Sequence, residues 1–130
     1  MPQHIGALTL LVDDYDRAIA YYTNSLGFSL IDDIDLGGGK RWVLVAPPGA
    51  QETRMLLAQA ADEAQRAQIG LQAGGRVFLF LHTDDFARDH AAYKARGVKF
   101  CEEPRYEPYG TVAVFEDLYG NRWDLLELKR

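Results

Sequence analysis

The hydrophobic positions of this chain follow two alternating patterns. Ile5–Val12 and Arg76–His82 are short apolar runs of β-prone residues, which predict strands. After the first run the apolar residues Tyr15, Ala18 and Tyr22 recur at intervals of three and four, which is the spacing of one helix face. The other predicted strands are Phe28–Ile34, Arg41–Ala46, Thr53–Ala58, Val98–Glu102, Thr111–Phe115 and Arg122–Leu128.

Polar and glycine positions set the borders of these elements. Asp14 is suited to the N-cap of the first helix, and Leu26-Gly27 supplies its C-terminal stop. Gly37-Gly38-Gly39 lies between two strands rather than before a helix, which favours a hairpin turn over a phosphate loop. Ala60–Gln68 is rich in Ala, Glu and Gln and predicts a short helix or an ordered linker.

The second half of the chain repeats the first. At one constant offset, Asp13–Tyr22 and Asp84–Tyr93 share two aspartates, an aromatic residue, an arginine, an alanine and a tyrosine. The second helix is expected to end at Gly97, as the first ends at Gly27. Each half therefore reads as a strand, a helix and three strands, which predicts an α+β fold built from two βαβββ modules.

The last two strands form a predicted hairpin over Val112–Glu127. Its turn is Asp117-Leu118-Tyr119-Gly120-Asn121, where Gly120 and Asn121 can adopt positive φ and reverse the chain.

The order of these motifs resembles the vicinal-oxygen-chelate superfamily, which includes glyoxalases, bleomycin-resistance proteins and extradiol dioxygenases. The resemblance covers essentially the whole chain and implies cupped mixed sheets in a single domain, residues 1–130. Module one would span about 4–59, the linker about 60–74 and module two about 75–130. The motifs that carry it are Val12-x-Asp14-Tyr15-x-Arg17-Ala18-x-x-Tyr21-Tyr22, Leu26-Gly27-Phe28, Ala95-Arg96-Gly97-Val98 and Asp117-x-x-Gly120-Asn121.

The resemblance also implies four places for metal ligands, on the first and last strand of each module. Here they hold Ala7, Arg54, Phe78 and Asp124. A methyl group, a guanidinium and a phenyl ring donate no lone pair to a divalent cation, and one carboxylate holds a cation weakly. We therefore expect no metal and no cofactor.

Arg54 and Asp124 occupy equivalent places in the two modules, and we predict a bidentate pair between them. The pair has two interpretations: a site that holds an anionic ligand group on Arg54, or a structural ion pair that fills a former metal site.

Amino-acid composition further limits the possible partners and cellular location of the protein. The 130 residues carry 19 acidic and 14 basic side chains, a net charge of −5 that argues against nucleic acid as a partner. No signal peptide and no apolar run of about 18 residues is present, which predicts a cytoplasmic protein with no membrane partner. Cys101 is the single cysteine, and we expect a small core residue rather than a nucleophile.

The histidines offer one weak catalytic candidate. Strand alternation places His82 on the face shared by Phe78 and Phe80, where it could serve as a general base. A simple strand end is the more common role. His4 and His90 are predicted to lie on the surface.

Several aromatic residues are candidates for ligand contact. Tyr106 and Tyr109 lie in Pro104–Gly110, which resembles the family's loop over the cavity and would form a stacking lid. Phe78, Phe80 and Trp42 would line the cavity, although the strand register of Trp42 is not fixed by the sequence. Trp123 should face away from Asp124, into the core.

Three classes of function follow. The first is a metal-free protein of the bleomycin-resistance kind that sequesters, or acts on, a small metabolite or drug. The second is a metal-dependent glyoxalase-like lyase or extradiol-type dioxygenase, and the third is an interaction module with a vestigial cavity. The missing metal ligands favour the first over the second, and the polar residues predicted in the cavity favour both over the third. The resemblance further implies a homodimer.

Overall fold

The computed structural model describes residues 2–130 and shows an α+β fold with one four-stranded and one five-stranded sheet. The described residues up to Ile69 form one compact unit, and Gly70–Arg130 form a second. The border falls inside the predicted linker. Among the described residues, no helix has the length and apolar content needed to cross a membrane.

The first unit contains the first predicted βαβββ module. Its sheet has the order β1-β4-β3-β2, with β1 and β4 parallel and the other neighbours antiparallel. Its elements are β1 (Ala7–Val12), α1 (Tyr15–Ala20), β2 (Ser29–Gly37), β3 (Lys40–Ala46), β4 (Arg54–Gln59) and the short helix α2 (Glu63–Arg66).

The predicted borders of the first helix are confirmed. Asp14 accepts a hydrogen bond from the backbone N–H of Arg17 at 2.8 Å, which is an N-cap. The helix continues as one π-helical turn, Tyr21–Ser25, and Gly27 follows with a φ of 71°. The buried ring of Tyr22 packs here against Phe28, with 5.8 Å between ring centroids.

The second unit repeats this plan with one strand broken in two. Its sheet has the order β5-β9-β8-β6, and β7 also pairs with β8. The parallel pair is β5 and β9. The elements are β5 (Val77–His82), α3 (Phe86–Ala95), β6 (Lys99–Phe100), β7 (Arg105–Glu107), β8 (Gly110–Glu116) and β9 (Arg122–Leu128).

The broken strand corrects two predictions. The strand predicted over Val98–Glu102 ends at Phe100, and the Pro104–Gly110 segment predicted as a loop contains β7. The cause is the side chain of Glu102, which accepts a hydrogen bond from the N–H of Val114 at 3.0 Å in place of a strand carbonyl. Arg105 then resumes pairing, opposite Val112.

The predicted β8–β9 hairpin is confirmed, and a buried aspartate organises its turn. The carboxylate of Asp117 accepts hydrogen bonds from the backbone N–H groups of Tyr119 and Asn121, from the Asn121 amide and from the Trp123 indole. Gly120 has a φ of 88°, but no non-glycine residue among those described has positive φ, so the expectation for Asn121 was wrong. Asn121 instead accepts from the N–H of Gln72.

Trp123 lies in the core of the second unit, as predicted. It is 2% exposed, its ring stacks on Phe115, and Phe115 packs edge-on against Tyr93 of α3. Its neighbour Asp124 therefore faces the opposite side of the sheet, away from the helix.

Candidate functional site

In the first unit, Ala7 and Arg54 occupy neighbouring positions in the sheet. They are direct partners in the parallel β1–β4 pairing, as two ligands of one ion would need to be. The guanidinium of Arg54 donates to the carbonyl oxygen of Ala50 at 3.2 Å. A methyl group beside a guanidinium offers no metal ligand in this unit.

In the second unit, Asp124 lies opposite Phe80 on β5 and Val114 on β8. The register of β5 shifts between Val77 and Leu79, and the intervening Phe78 packs edge-on against Trp123 at 6.3 Å between centroids. The strict alternation that grouped Phe78 with Phe80 is therefore wrong, because a bulge changes the phase of the strand. Phe80, which is 59% exposed, is the residue beside Asp124.

The carboxylate of Asp124 is in an unfavourable setting. Its Oδ1 atom is buried and has no hydrogen-bond partner among the described residues. Burial raises the pKa of Asp124, the positive charge of Arg105 opposes that rise, and the carboxylate of Glu102 adds to it.

The predicted bidentate pair between Arg54 and Asp124 would join a residue of the first unit to one of the second, and it stays a prediction. Within the first unit, the described hydrogen bond of the Arg54 guanidinium goes to the nearby Ala50 carbonyl. The nearby arginine whose charge acts on the pKa of Asp124 is Arg105.

The residues at the family's ligand places do not fit a divalent cation. With the observed register, those places hold Ala7, Arg54, Phe80 and Asp124, of which one carries a suitable donor. Among residues 2–130, no group of three or more His, Cys, Asp or Glu side chains is arranged to hold a metal. No chemical step through a metal follows from this donor set.

The first unit contains a cavity of about 700 Å³. It opens where β3 and β4 diverge: the two strands pair at Leu44–Leu56 and Val45–Met55, and the pairing does not continue to Trp42 and Ala58. We call this region the β3–β4 fork, formed by Lys40–Val43 on one side and Leu57–Gln59 on the other. Other lining residues include Leu36, Leu56, Ala60, Ala61 and Gln65.

Trp42 is the aromatic residue of the fork. It is 39% exposed and lies opposite Ile34 on β2, which resolves the register that the sequence left open. Within β3 it shares a face with Leu44, the partner of Leu56, and that face also includes Arg54. The predicted inward position of Trp42 as a ligand-contacting residue is therefore compatible with the fold.

Tyr15 bridges the two arms of the fork. Its hydroxyl accepts a hydrogen bond from the backbone N–H of Arg41 at 3.1 Å, and its own backbone N–H donates to Oε1 of Gln59 at 3.2 Å. The guanidinium of Arg41 lies over the Tyr15 ring, 5.1 Å from its centroid. The tyrosine thus supplies a partner that a continuous β4 strand would otherwise provide.

The remaining predicted site residues are spread along the chain. His82 is exposed at the end of β5, opposite Leu126. Tyr106 is 80% exposed on β7, and Tyr109 is 49% exposed in the following turn. Their proposed roles in catalysis or as a lid stay predictions.

Two predictions of burial, for His90 and for Cys101, need correction. His90 is partly buried, because its ring stacks on Phe86 and contacts Phe100 at 4.4 Å between centroids. Cys101 is exposed rather than part of the core, since β6 ends one residue before it. The thiol is still partly shielded from water, and this desolvation together with the adjacent Glu116 carboxylate raises its pKa, which disfavours the reactive thiolate. His4 is exposed, as predicted.

Sequence reasoning missed Tyr15, Gln59, Glu102 and Arg105 as site residues. Glu102 and Arg105 form an ion pair with 3.0 Å between Nε and Oε2. The Asp14-Tyr15 motif did indicate the helix start, but a strand divergence leaves no local pattern in the sequence. The Glu-x-x-Arg spacing at Glu102 and Arg105 was a signal that the loop assignment obscured.

Comparison with known proteins places the chain in a family. The sequence model of the Glyoxalase/Bleomycin resistance protein/Dioxygenase superfamily matches residues 4–125. An uncharacterized protein of Shewanella frigidimarina (strain NCIMB 400) is 54% identical over 129 residues, covering 98% of this chain and 96% of that protein.

Solved structures agree with this assignment. UcmS2 is 32% identical, with a TM-score of 0.84 over 97% of this chain and 98% of that chain. TnmS3, an antibiotic binding protein from Streptomyces sp. CB03234, is 30% identical, with a TM-score of 0.79 over 98% of both chains. Together with the paired βαβββ topology, these matches show that the chain belongs to the glyoxalase/bleomycin resistance protein/dioxygenase superfamily.

Proposed function

We propose that this protein is a metal-free small-molecule-binding protein of the glyoxalase/bleomycin-resistance type. The observation that carries the proposal is the 700 Å³ cavity at the β3–β4 fork, with Trp42 in its wall. Its volume lies in the range of ligand sites, about 300–1,000 Å³, and apolar lining with a few polar groups is typical of such sites. The similarity to TnmS3, an antibiotic binding protein, supports a drug or metabolite as the ligand.

Burial of apolar surface and the preformed shape of the cavity would favour binding. A ring placed against Trp42 would cover a side chain that is 39% exposed, and it would cover apolar surface of Leu36 and Leu56. The cavity exists without strand movement because Tyr15 already bridges the fork. A preformed cavity reduces the ordering cost of binding.

The donor set supports metal independence. A metal-dependent lyase or dioxygenase of this fold needs several ligands around one ion, and Asp124 is the one suitable donor at the expected places. The metal-dependent enzyme is the alternative to this proposal. We further expect a cytoplasmic homodimer with no nucleic-acid or membrane partner, in keeping with the resemblance and the net charge of −5.

Two measurements on the purified chain test the proposal. Metal analysis should find less than stoichiometric Ni, Zn, Fe or Mn, and a thermal-shift screen of aromatic antibiotics and metabolites should raise the Tm equally with and without EDTA. Trp42→Ala should abolish the shift, with Ile31→Ala as the control for loss of an exposed apolar residue outside the cavity lining. Stoichiometric metal, or ligand binding that EDTA abolishes, would favour the enzyme.

A further inference from the structure

We infer that the β3–β4 fork selects planar ligands that carry hydrogen-bond acceptors, such as aromatic carboxylates or ring carbonyls, and disfavours cationic ligands. This inference rests on the proposed binding function and adds the chemical class of the ligand. It follows from the hydrogen bonds that the lining residues already make within the fold, because these bonds determine which of their atoms face a ligand.

The two glutamines of the cavity are oriented by the backbone. Oε1 of Gln59 accepts from the N–H of Tyr15 at 3.2 Å, and Oε1 of Gln65 accepts from the N–H of Ala61 at 2.7 Å. A backbone N–H can only donate, so each amide must present its oxygen to the backbone. The part of Gln59 and Gln65 that points away from the backbone contact is therefore the amide nitrogen, which offers hydrogen-bond donors to a ligand.

The Tyr15 hydroxyl can likewise donate a hydrogen bond to a ligand. Because its oxygen accepts from the N–H of Arg41, the hydroxyl hydrogen points elsewhere and can be donated. Tyr15 is 7% exposed and lines the cavity. It acts as a positioning residue for the fork and as a third donor.

The charged residues that line the cavity also favour an anionic or electron-rich ligand over a cation. Its described lining includes Lys40 and Arg41 and no aspartate or glutamate, although the whole chain has a net charge of −5. Arg41 is neutralised by Asp33 and Asp16 at 2.8 and 2.9 Å, whereas the Lys40 ammonium has no ion-pair partner among the described residues. One positive charge is thus available to an anionic or electron-rich ligand.

The shape of the fork favours a flat ligand. The cavity lies where two neighbouring strands separate, and its apolar lining includes Trp42, Leu56 and Ala58. Aromatic rings stack on an indole with favourable offset geometry, while the donors described above can meet oxygen atoms on the ring. A flexible aliphatic ammonium compound would meet no carboxylate among the described lining residues, and the Trp42 indole is the lining group described above that could attract its charge.

The test uses two probes with the same ring and opposite charge, 2-naphthoate and 2-naphthylmethylammonium, titrated into the full chain at pH 7 by calorimetry. We expect 2-naphthoate to bind at least about tenfold tighter than the ammonium probe. Gln65→Glu and Gln59→Glu keep the oxygen that accepts from the backbone and replace the donor by an acceptor. Each should weaken 2-naphthoate binding by about tenfold, consistent with loss of a hydrogen bond to a charged group.

Gln68→Glu is the matched control. It adds the same charge in the turn after α2, at an exposed residue that does not line the cavity, so binding should change by less than about twofold. Gln65→Glu should also remain folded, because glutamate at the third helical position keeps the oxygen that accepts from the Ala61 N–H, and an acidic residue is favoured in the first turn of a helix. Melting curves of all variants check this point.

Equal binding of the two probes, tighter binding of the ammonium probe, or equal effects of Gln65→Glu and Gln68→Glu would overturn the inference and leave the proposed binding function intact. No saturable binding of 2-naphthoate would overturn the inference as well. Failure of the whole antibiotic and metabolite screen would, in addition, count against the proposed function.

Discussion

Asp124 illustrates how one buried side chain can work against stability. Its Oδ1 atom has no hydrogen-bond partner among the described residues, and a buried unsatisfied polar group costs about 1–3 kcal/mol. Its direct partners on the two adjacent strands, Phe80 and Val114, are apolar. Such a cost is typical of a residue retained for a ligand.

Replacing Asp124 should therefore stabilise the chain or leave it unchanged. We expect Asp124→Leu to raise the free energy of unfolding by about 1 kcal/mol, measured by urea denaturation at pH 7. Leu125→Ala is the contrasting control, since that fully buried side chain should cost about 2–5 kcal/mol when truncated. Marked destabilisation by Asp124→Leu would show that the carboxylate is structural.

The raised pKa of Asp124 also predicts the direction in which the stability of the chain changes with pH. The folded state binds the proton more tightly than the unfolded state, so Asp124 contributes stability at low pH, and this is lost as pH rises from 3.8 through the folded pKa. Asp124→Asn should remove that contribution, which makes the difference in unfolding free energy between wild type and variant vary with pH in that window. A constant difference would contradict the assigned cause.

The pKa of His90 is shifted in the opposite direction, below its usual value. Burial between Phe86 and Phe100 and the charge of Lys94 lower its pKa, while Glu103 acts weakly in the other direction. The neutral ring is favoured in the folded state, so its contribution to stability is present above pH 6.5 and is lost as pH falls through the folded pKa. His90→Phe should flatten the acid side of the stability profile, measured by thermal melts between pH 5 and 8. An unchanged profile would contradict this.

At the scale of elements, the Asp117 turn is a strong local determinant of the second unit. Asp117 and Asn121 are 6% and 3% exposed, and the Asp117 carboxylate ties the turn to Trp123 through the indole N–H at 3.1 Å. The turn therefore fixes both the β8–β9 register and the position of the largest core residue.

Asp117→Ala should destabilise the chain by about 3 kcal/mol, because several buried N–H groups lose a charged acceptor. Loss of tertiary structure around Trp123 should appear as a shift of tryptophan fluorescence at lower urea concentration. Asp62→Ala is the control, since it removes a surface N-cap of α2 and should cost about 1 kcal/mol. Equal effects of the two substitutions would contradict the turn's central role.

Most of the elements could be predicted from periodicity and capping residues, and the exceptions share one cause. Gly27, Gly97, Asp14 and Asp85 mark helix borders locally, and the structure confirms them. The break at Glu102, the bulge at Phe78 and the divergence of β3 from β4 depend on side chains distant in sequence. Alternation alone cannot reveal a strand that changes phase.

The candidate site was therefore predicted only in part. The resemblance indicated Ala7, Arg54 and Asp124, and the structure confirms that Ala7 and Arg54 are neighbours. It could not indicate Gln59 or Gln65, because their roles depend on which backbone N–H group each amide oxygen binds.

At the scale of the whole molecule, each unit leaves apolar side chains on its surface. In the first unit Ile34 and Trp42 are 50% and 39% exposed, and in the second Phe80 is 59% exposed. Exposed apolar patches commonly mark interaction sites. We expect light scattering after gel filtration to give about twice the 14.6 kDa mass of one chain. A single-chain mass at concentrations above about 100 μM would rule out the dimer, given typical affinities.

The two halves of the chain share one order of elements, yet they differ at the residue that follows each helix N-cap. This residue is Tyr15 in the first half and Phe86 in the second. Where the phenol is present, the strands separate after Leu44–Leu56; where the phenyl ring is present, β8 and β9 pair without interruption from Gly110–Leu128 to Glu116–Arg122. The hydroxyl oxygen of Tyr15, which Phe86 lacks, accepts the hydrogen bond from the Arg41 N–H beside the point where β3 and β4 separate. The first unit therefore offers a ligand an opening between its last two strands that the second unit does not have.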